Sequence, residues 1–405
     1  MYVMPFWSWR PVGDEIVLHN YLEGASERVP RAVLDELEAA YRGGPAPEST
    51  APGRLGLLLD RADELPELVS GLARSREVPL VDQVELTNRC PYTCEMCPRT
   101  HFMTRQTGDL DLALFRRLID EVAPHQSYLG LHHFGESLLH RGLPEAVRIG
   151  REAGVRAGIS CNPPSLRPAL AQELLDAGLA NMVLSLDSTD PDTYRSIRGR
   201  AARFDVADRN LRELIRRRDA GGYELAVTAQ MIRMDANDSE AERFLAYCKE
   251  IGVDRAIVVR LGRWDFEPDY IDRIGTVDAP GYTAPCSLPW SSVAVLWDGR
   301  VVPCAHDYDG LVVLGDLRER TLAEIWRDAA VAGFRAGNRT SELCTRCSFS
   351  AWYREAQRER EGFVEFHRER RAQEVTVEWI NPESAGWRDG RQLFDRFDVV
   401  TGPAR

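Results

Sequence analysis

Lysine is nearly absent from this 405-residue chain: Lys249 is the single lysine among 51 basic residues, and the rest are arginine. A phosphate-binding P-loop needs a lysine among its glycines, and a pyridoxal Schiff base needs a buried amine. Lys249 lies in Tyr247-Cys248-Lys249-Glu250, a charged helical context that suits neither. Positive charge is also in deficit, with a formal net charge of −12, which argues against a broad phosphate-binding face and a nucleic-acid partner. No apolar run approaches the ~18 residues of a membrane helix. The N-terminus lacks a basic stretch followed by an apolar one, so no signal peptide is read and a cytoplasmic protein without a membrane partner is expected. Nine cysteines are an odd number without a secretory signal, so metal-binding thiols are expected rather than disulfides. The sequons at Asn237 and Asn338 then carry no glycan.

At roughly 100–200 residues per domain the chain should hold two or three domains. Residues 1–79 read as an α+β extension. Trp7, Trp9 and Glu15-Ile16-Val17-Leu18 suggest strands, 30–41 a helix, and Gly43-Gly44-Pro45-Ala46-Pro47 a loop. From 80 to 279 the pattern is regular. Apolar strand-like runs near 81–88, 126–134, 155–161, 181–187, 224–232 and 255–260 alternate with helical patterns near 111–122, 144–153, 165–177, 205–218 and 238–252. Such alternation predicts an α/β fold with a parallel sheet, either a partial (β/α)6 TIM-like barrel or a doubly wound sheet. Ligands are expected at the C-terminal ends of the strands. Residues 280–350 form a small separate domain, with short strands around Asp298-Gly299 and a short helix at 321–327. Residues 351–405 open with an Arg/Glu-rich helical pattern, followed by the strand-like Val375 to Ile380.

Cys90-Pro91-Tyr92-Thr93-Cys94-Glu95-Met96-Cys97 gives C-x3-C-x2-C directly after the first predicted barrel strand. Three thiolates in one loop can surround a metal centre. A zinc knuckle normally adds a fourth local ligand, and none stands at the usual spacing; a four-iron cluster held by three cysteines keeps one iron open. This loop, placed at the end of the first strand of a six-unit barrel, resembles the radical S-adenosylmethionine (radical SAM) superfamily over about residues 80–350. The resemblance implies a [4Fe-4S] cluster on Cys90, Cys94 and Cys97 whose open iron chelates S-adenosylmethionine. It also implies reductive cleavage to a 5′-deoxyadenosyl radical, and an external one-electron donor such as flavodoxin or ferredoxin.

Further residues match the family in order. Phe134-Gly135-Glu136 resembles its Gly-Glu motif, with Phe134 in place of the first glycine, so Gly135 and Glu136 are implied to hold the methionine amino group. Asn162 follows the third strand, with Cys161 where relatives carry threonine. Ser185-Leu186-Asp187 resembles the ribose and methionine segment, Tyr194 to Gly199 with Arg198 the Tyr…Arg-Gly element, and Met96 the position beside the adenine.

Cys286, Cys304, Cys344 and Cys347 form C-x12-G-x4-C…C-x2-C, with Gly299 between the first two. A zinc ribbon fits the spacing alone. After such a barrel, however, the pattern resembles a SPASM domain, supported by Leu314-Gly315-Asp316 and Leu322 to Trp326. Tyr353 stands where the full pattern continues with cysteine, and no cysteine follows Cys347. A shortened, twitch-type domain is implied, with a single auxiliary [4Fe-4S] cluster. Four cysteines for four irons leave no open iron, so electron transfer is its expected role.

That role frames the expected reaction. A radical on an alcohol carbon becomes a ketone by losing a proton and one electron, which a saturated cluster can accept. The first reading is an oxidoreductase that dehydrogenates a small natural-product intermediate such as an aminocyclitol or sugar, with Asp307 as a candidate proton acceptor or a turn residue. The second is a maturase of a ribosomally made peptide, with residues 1–79 as a recognition module. The third is an epimerase in which Cys161 donates hydrogen, against simple packing of that thiol. Cys248 reads as a buried thiol. Of His132 and His133, strand alternation allows at most one to face the barrel interior. Arg260 ends the sixth strand, where it could clamp an anion or pair with an acid.

Overall fold

In the computed structural model the described residues comprise 77–261 and 288–337 without a break, most of 2–59, residues 264, 270 and 273–275, and the segments 341–347 and 375–380. Cys286, the predicted helix after 350 and the side chain of Arg260 lie outside the described set.

The strands are β1 (Tyr2–Val3), β2 (Trp7–Val12), β3 (Glu15–Asn20), β4 (Ala25–Pro30), β5 (Leu58–Leu59), β6 (Leu80–Val84), β7 (Tyr128–Gly130), β8 (Arg156–Cys161), β9 (Asn181–Ser185), β10 (Ala226–Arg233), β11 (Arg255–Arg260), β12 (Ser292–Val295), β13 (Arg300–Val302), β14 (Gly315–Asp316) and β15 (Val375–Ile380). The principal helices are α1 (Ala32–Tyr41), α2 (Leu112–Val122), α3 (Leu143–Glu152), α4 (Pro168–Ala177), α5 (Pro191–Arg198), α6 (Phe204–Gly221), α7 (Ala241–Ile251), α8 (Leu322–Trp326) and α9 (Ala329–Gly337).

β6 to β11 lie side by side in sequence order, every neighbouring pair parallel. A doubly wound sheet reverses its strand order at a switch point. This one never reverses, so the winding runs in one sense, as in a partial barrel. The strands are apolar because both faces are covered: Met182, Leu184, Val227, Ala229 and Val258 are all fully buried. The helices follow their local chemistry. Asp111 caps α2 by accepting from the Ala113 N–H at 2.7 Å, and Leu114, Phe115, Leu118, Ile119 and Val122 form its buried stripe. Asp190 caps α5 at the Asp192 and Thr193 N–H groups, with Pro191 in the first turn.

β7 is shorter than the predicted 126–134, and Tyr194 lies within α5. β12 pairs parallel with β6, and β13 and β14 continue antiparallel beyond it; on the far side β15 pairs antiparallel with β11. At the N-terminus β2, β3 and β4 form an antiparallel sheet of their own, followed by α1. Ile16, Leu18, Val29, Leu34 and Leu37 are buried there, and among the described residues the barrel's core cluster begins at Val78. Among the described residues no helix is long and apolar enough to cross a membrane.

Candidate functional site

The cysteine loop leaves the C-terminal end of β6 and is fixed on both sides of Cys94 by backbone bonds. Thr93 N donates to Arg198 O at 3.2 Å and Glu95 N to Ile197 O at 2.9 Å, so the loop is strapped to the last turn of α5. Gly199, just beyond that turn, has φ +85° and ψ 180°, and a Cβ there would stand 2.1 Å from Thr93 Oγ1. Only glycine adopts this conformation readily, and strain of this kind costs about 1–3 kcal/mol. Gly199→Ala is therefore expected to lower the melting temperature and weaken iron retention; an unchanged melt with full iron content would refute the strap. Gly135 has a similar reason. A Cβ on it would come 2.0 Å from Thr87 O, so glycine lets the loop after β7 lie against the loop after β6. The next N–H, of Glu136, then donates to Arg89 O at 2.8 Å, one residue before Cys90.

Burial pushes the Cys90 thiol up to about 12 and Cys94 to about 11, and raises Cys97 as well. Alone, these thiols stay protonated at neutral pH. A cationic iron centre reverses that preference, so the donor set fits an iron–sulfur cluster. Among the described residues no three His, Cys, Asp or Glu side chains converge on a single-ion site. Thiolates that each bind a different iron of one cluster need no such convergence.

Behind the loop a buried polar chain joins residues from four strand ends. Glu136 Oε2 accepts from Asn162 N and from Asn162 Nδ2, both at 2.8 Å, and its Oε1 accepts from Leu138 N at 3.2 Å. Arg198 Nη1 donates to Asn162 Oδ1 at 2.7 Å and lies 3.8 Å from Cys94 Sγ. Arg198 Nε and Nη2 both reach Asp187 Oδ2 at 2.5 Å. Burial outweighs these bonds at Glu136, pushing its carboxyl up to about 7. The geometry thus brings together Glu136, Asn162, Arg198 and Cys94.

Asp187 was not singled out as a site residue from the sequence. It is fully buried, adopts φ +29°, accepts from Ile232 N at 2.7 Å, and its carbonyl accepts from Asn237 Nδ2 at 2.7 Å. An aspartate closing a parallel strand, in a turn that tolerates positive φ, is the available signal. Asn237 is held on all sides, also donating to Ile232 O and accepting from Met234 N.

The other candidates are placed less centrally. Ser185 ends β9, half-buried, opposite Gln230. Met96 and Cys161 belong to the apolar core around the site, and burial raises the Cys161 thiol strongly. β7 stops at Gly130, so strand alternation does not govern His132 and His133. Burial lowers them to about 4 and about 3, and His133 Nδ1 lies 2.8 Å from Gln83 Oε1.

In the auxiliary region Cys304, Cys344 and Cys347 are partly buried, and burial together with neighbouring Cys347 and Asp307 pushes Cys344 up to about 11. Asp307 holds its own turn: its two carboxylate oxygens accept from Leu311 N at 2.7 Å and Val312 N at 2.9 Å, which is the turn role expected beside the proton-accepting one. Against that turn pack aromatic rings from the barrel mouth. Phe134 meets Tyr308 edge-on at 5.6 Å and Trp264 at 5.3 Å, and Trp264 lies 4.9 Å from His306.

Comparison with known proteins follows the same division. A family model for the radical SAM superfamily matches residues 84–248, and one for the SPASM iron–sulfur cluster-binding domain matches 286–348. A tungsten-containing aldehyde ferredoxin oxidoreductase cofactor-modifying protein of Pyrococcus furiosus is 24% identical over 310 residues, 65% of this chain and 86% of that protein. A PqqA peptide cyclase of Ruegeria pomeroyi is 27% identical over 341 residues, 75% of this chain and 82% of that protein. The crystal structure of Streptococcus suis SuiB bound to its precursor peptide SuiA superposes with a TM-score of 0.55 at 12% identity, covering 86% of this chain and 93% of that one. The chain belongs to the radical SAM superfamily: it is an α/β radical SAM enzyme of the SPASM type, built for S-adenosylmethionine and iron–sulfur clusters.

Proposed function

We propose that this enzyme oxidises a peptide substrate by hydrogen-atom abstraction, with the SPASM site accepting the second electron. The bound cluster and S-adenosylmethionine would supply the abstraction. Cys90, Cys94 and Cys97 hold that cluster, and Glu136 and Asn162 receive the methionine end of S-adenosylmethionine. Arg198, oriented by Asp187, fixes Asn162 and lies against Cys94. Cys286, Cys304, Cys344 and Cys347 hold the auxiliary cluster.

The peptide reading is carried by the N-terminal module. It has its own antiparallel sheet, helix and buried residues, and the fold likeness to SuiB covers 86% of this chain, more than the barrel and SPASM segments together. The curated relatives include peptide cyclases. The test is titration of the full-length protein with synthetic peptides from short reading frames beside its gene, followed by anaerobic turnover. Saturable binding and a product lacking two hydrogens are expected. Absence of peptide binding, with oxidation of cyclitols or sugars instead, would transfer the assignment to small-molecule dehydrogenation. One observation favours that second reading, namely that Tyr353 stands where the pattern for a second auxiliary cluster continues with cysteine.

Glu136 adds a pH dependence. With its carboxyl raised to about 7, the free site is protonated below that value and must lose the proton to receive an ammonium group. Affinity for S-adenosylmethionine is therefore expected to rise as pH increases through about 7, and to lose that dependence in Glu136→Gln. Calorimetric titration from pH 6 to 8.5 on the reconstituted enzyme reads it, and equal slopes in both proteins would sink the assignment.

A further inference from the structure

Seven residues past Cys97 the chain reaches Thr104 and Arg105, and four residues past Cys304 it reaches Tyr308 and Asp309. These two segments are bonded together. Thr104 N and Thr104 Oγ1 donate to the two carboxylate oxygens of Asp309, each at 2.7 Å, and Arg105 N donates to Asp309 Oδ1 at 3.1 Å. Arg105 Nε donates to Tyr308 O at 2.8 Å, while its two Nη groups form a fork on Glu85 at 2.7 Å each. Glu85, just beyond β6, also accepts from Trp297 N at 3.2 Å, on the turn between β12 and β13. The Arg105 and Glu85 side chains are 3% and 0% exposed.

A buried ion pair is a poor way to stabilise a fold, because desolvating both charges offsets most of their attraction; its best-attested use is to specify geometry. Here one guanidinium uses all its nitrogens at once. Two grip the first barrel strand's end, and the third grips the backbone four residues beyond an auxiliary cysteine. A planar five-donor fork holds such a three-way junction, and an ammonium does not.

We propose that Arg105, with Glu85 and Asp309, is a positioning device that holds the Cys304 turn at a fixed place against the barrel mouth, and so sets the separation across which the auxiliary site takes its electron. The proposal rests on the electron-accepting role assigned to that site. A cluster held at Cys304, Cys344 and Cys347 would supply the one-electron acceptor for a substrate radical, with the substrate's proton passing to solvent and the electron leaving to the oxidised form of a one-electron carrier protein. Arg105 touches none of these reactants. It acts through the turn that it holds.

The test uses Arg105→Lys, which keeps the charge, the neutral pair Arg105→Gln with Glu85→Gln, which strands no buried ion, and Asp309→Asn. Each is reconstituted anaerobically beside the parent. In all three, amide exchange of residues 307–312 in the purified protein is expected to accelerate by about tenfold. Iron content and 5′-deoxyadenosine formation should match the parent. Product formed per 5′-deoxyadenosine should fall by about fivefold, within the range for residues that couple two sites without touching either ligand. Parental exchange and a parental product ratio in both Arg105→Lys and the neutral pair would overturn the proposal. A parent that holds only one cluster would overturn the electron-acceptor reading instead, and the exchange result would then still decide whether the strap exists.

Discussion

Cys94→Ala is expected to abolish formation of 5′-deoxyadenosine and to remove about four of roughly eight irons per chain, leaving the auxiliary site loaded. Cys94 is the middle thiol of the loop and the one that Arg198 approaches, at 3.8 Å. Its neighbours Thr93 and Glu95 are tied by their N–H groups to α5, so the loop cannot shift to recruit a replacement ligand. Changing Cys344 or Cys347 should give the mirror image, loss of the other irons with cleavage of S-adenosylmethionine retained. Iron analysis with Mössbauer spectra separates the two sets. Retained cleavage in Cys94→Ala, or stoichiometric zinc at either set, would refute the assignment.

The second large effect concerns Arg198. Arg198→Gln should drop cleavage of S-adenosylmethionine by about a hundredfold or more and destabilise the fold by about 3–5 kcal/mol, because the fully buried Asp187 loses its partner. The double variant Arg198→Gln with Asp187→Asn removes the stranded charge. It should recover most of the stability and little of the activity, since Asn162 and Cys94 still lack their contact. Thermal melts and single-turnover assays distinguish these outcomes. Full activity in the double variant would show that Arg198 only supports the fold.

Local features of the chain carried much of this picture. Cysteine spacing marked the two segments that match the radical SAM and SPASM family models, and the period of apolar residues located the barrel strands, because thiol offsets and strand patterns are short-range properties. What escaped was long-range. Asp187 and Arg198 are eleven residues apart with a helix between them, and nothing in Ser185-Leu186-Asp187 says which side chain turns inward until φ at Asp187 is known. Arg105 and Glu85 look like two more surface charges in a chain rich in both. β7 stops short of the expected 134: Leu131 and Phe134 are apolar like strand residues, yet Phe134 packs against Tyr308 of the auxiliary turn. β4 was missed because Ala25 to Pro30 is polar and ends in proline. Asp307 is a further detail, a carboxylate three residues after Cys304 that accepts from two backbone N–H groups of its own turn.

The pairing of β12 with β6, and of β15 with β11, bears on how the chain is made. Both flanks of the six parallel strands are covered by segments synthesised after them. Until residues 292–380 have been synthesised, at about 5–20 residues per second, and have emerged, Leu80–Val84 and Arg255–Arg260 present unpaired backbone groups to any passing strand. Chains ending before Ser292 should therefore aggregate, which light scattering of the truncated protein reads directly. The auxiliary domain and the β15 segment beyond it are thus also the pieces that make the catalytic barrel safe to release.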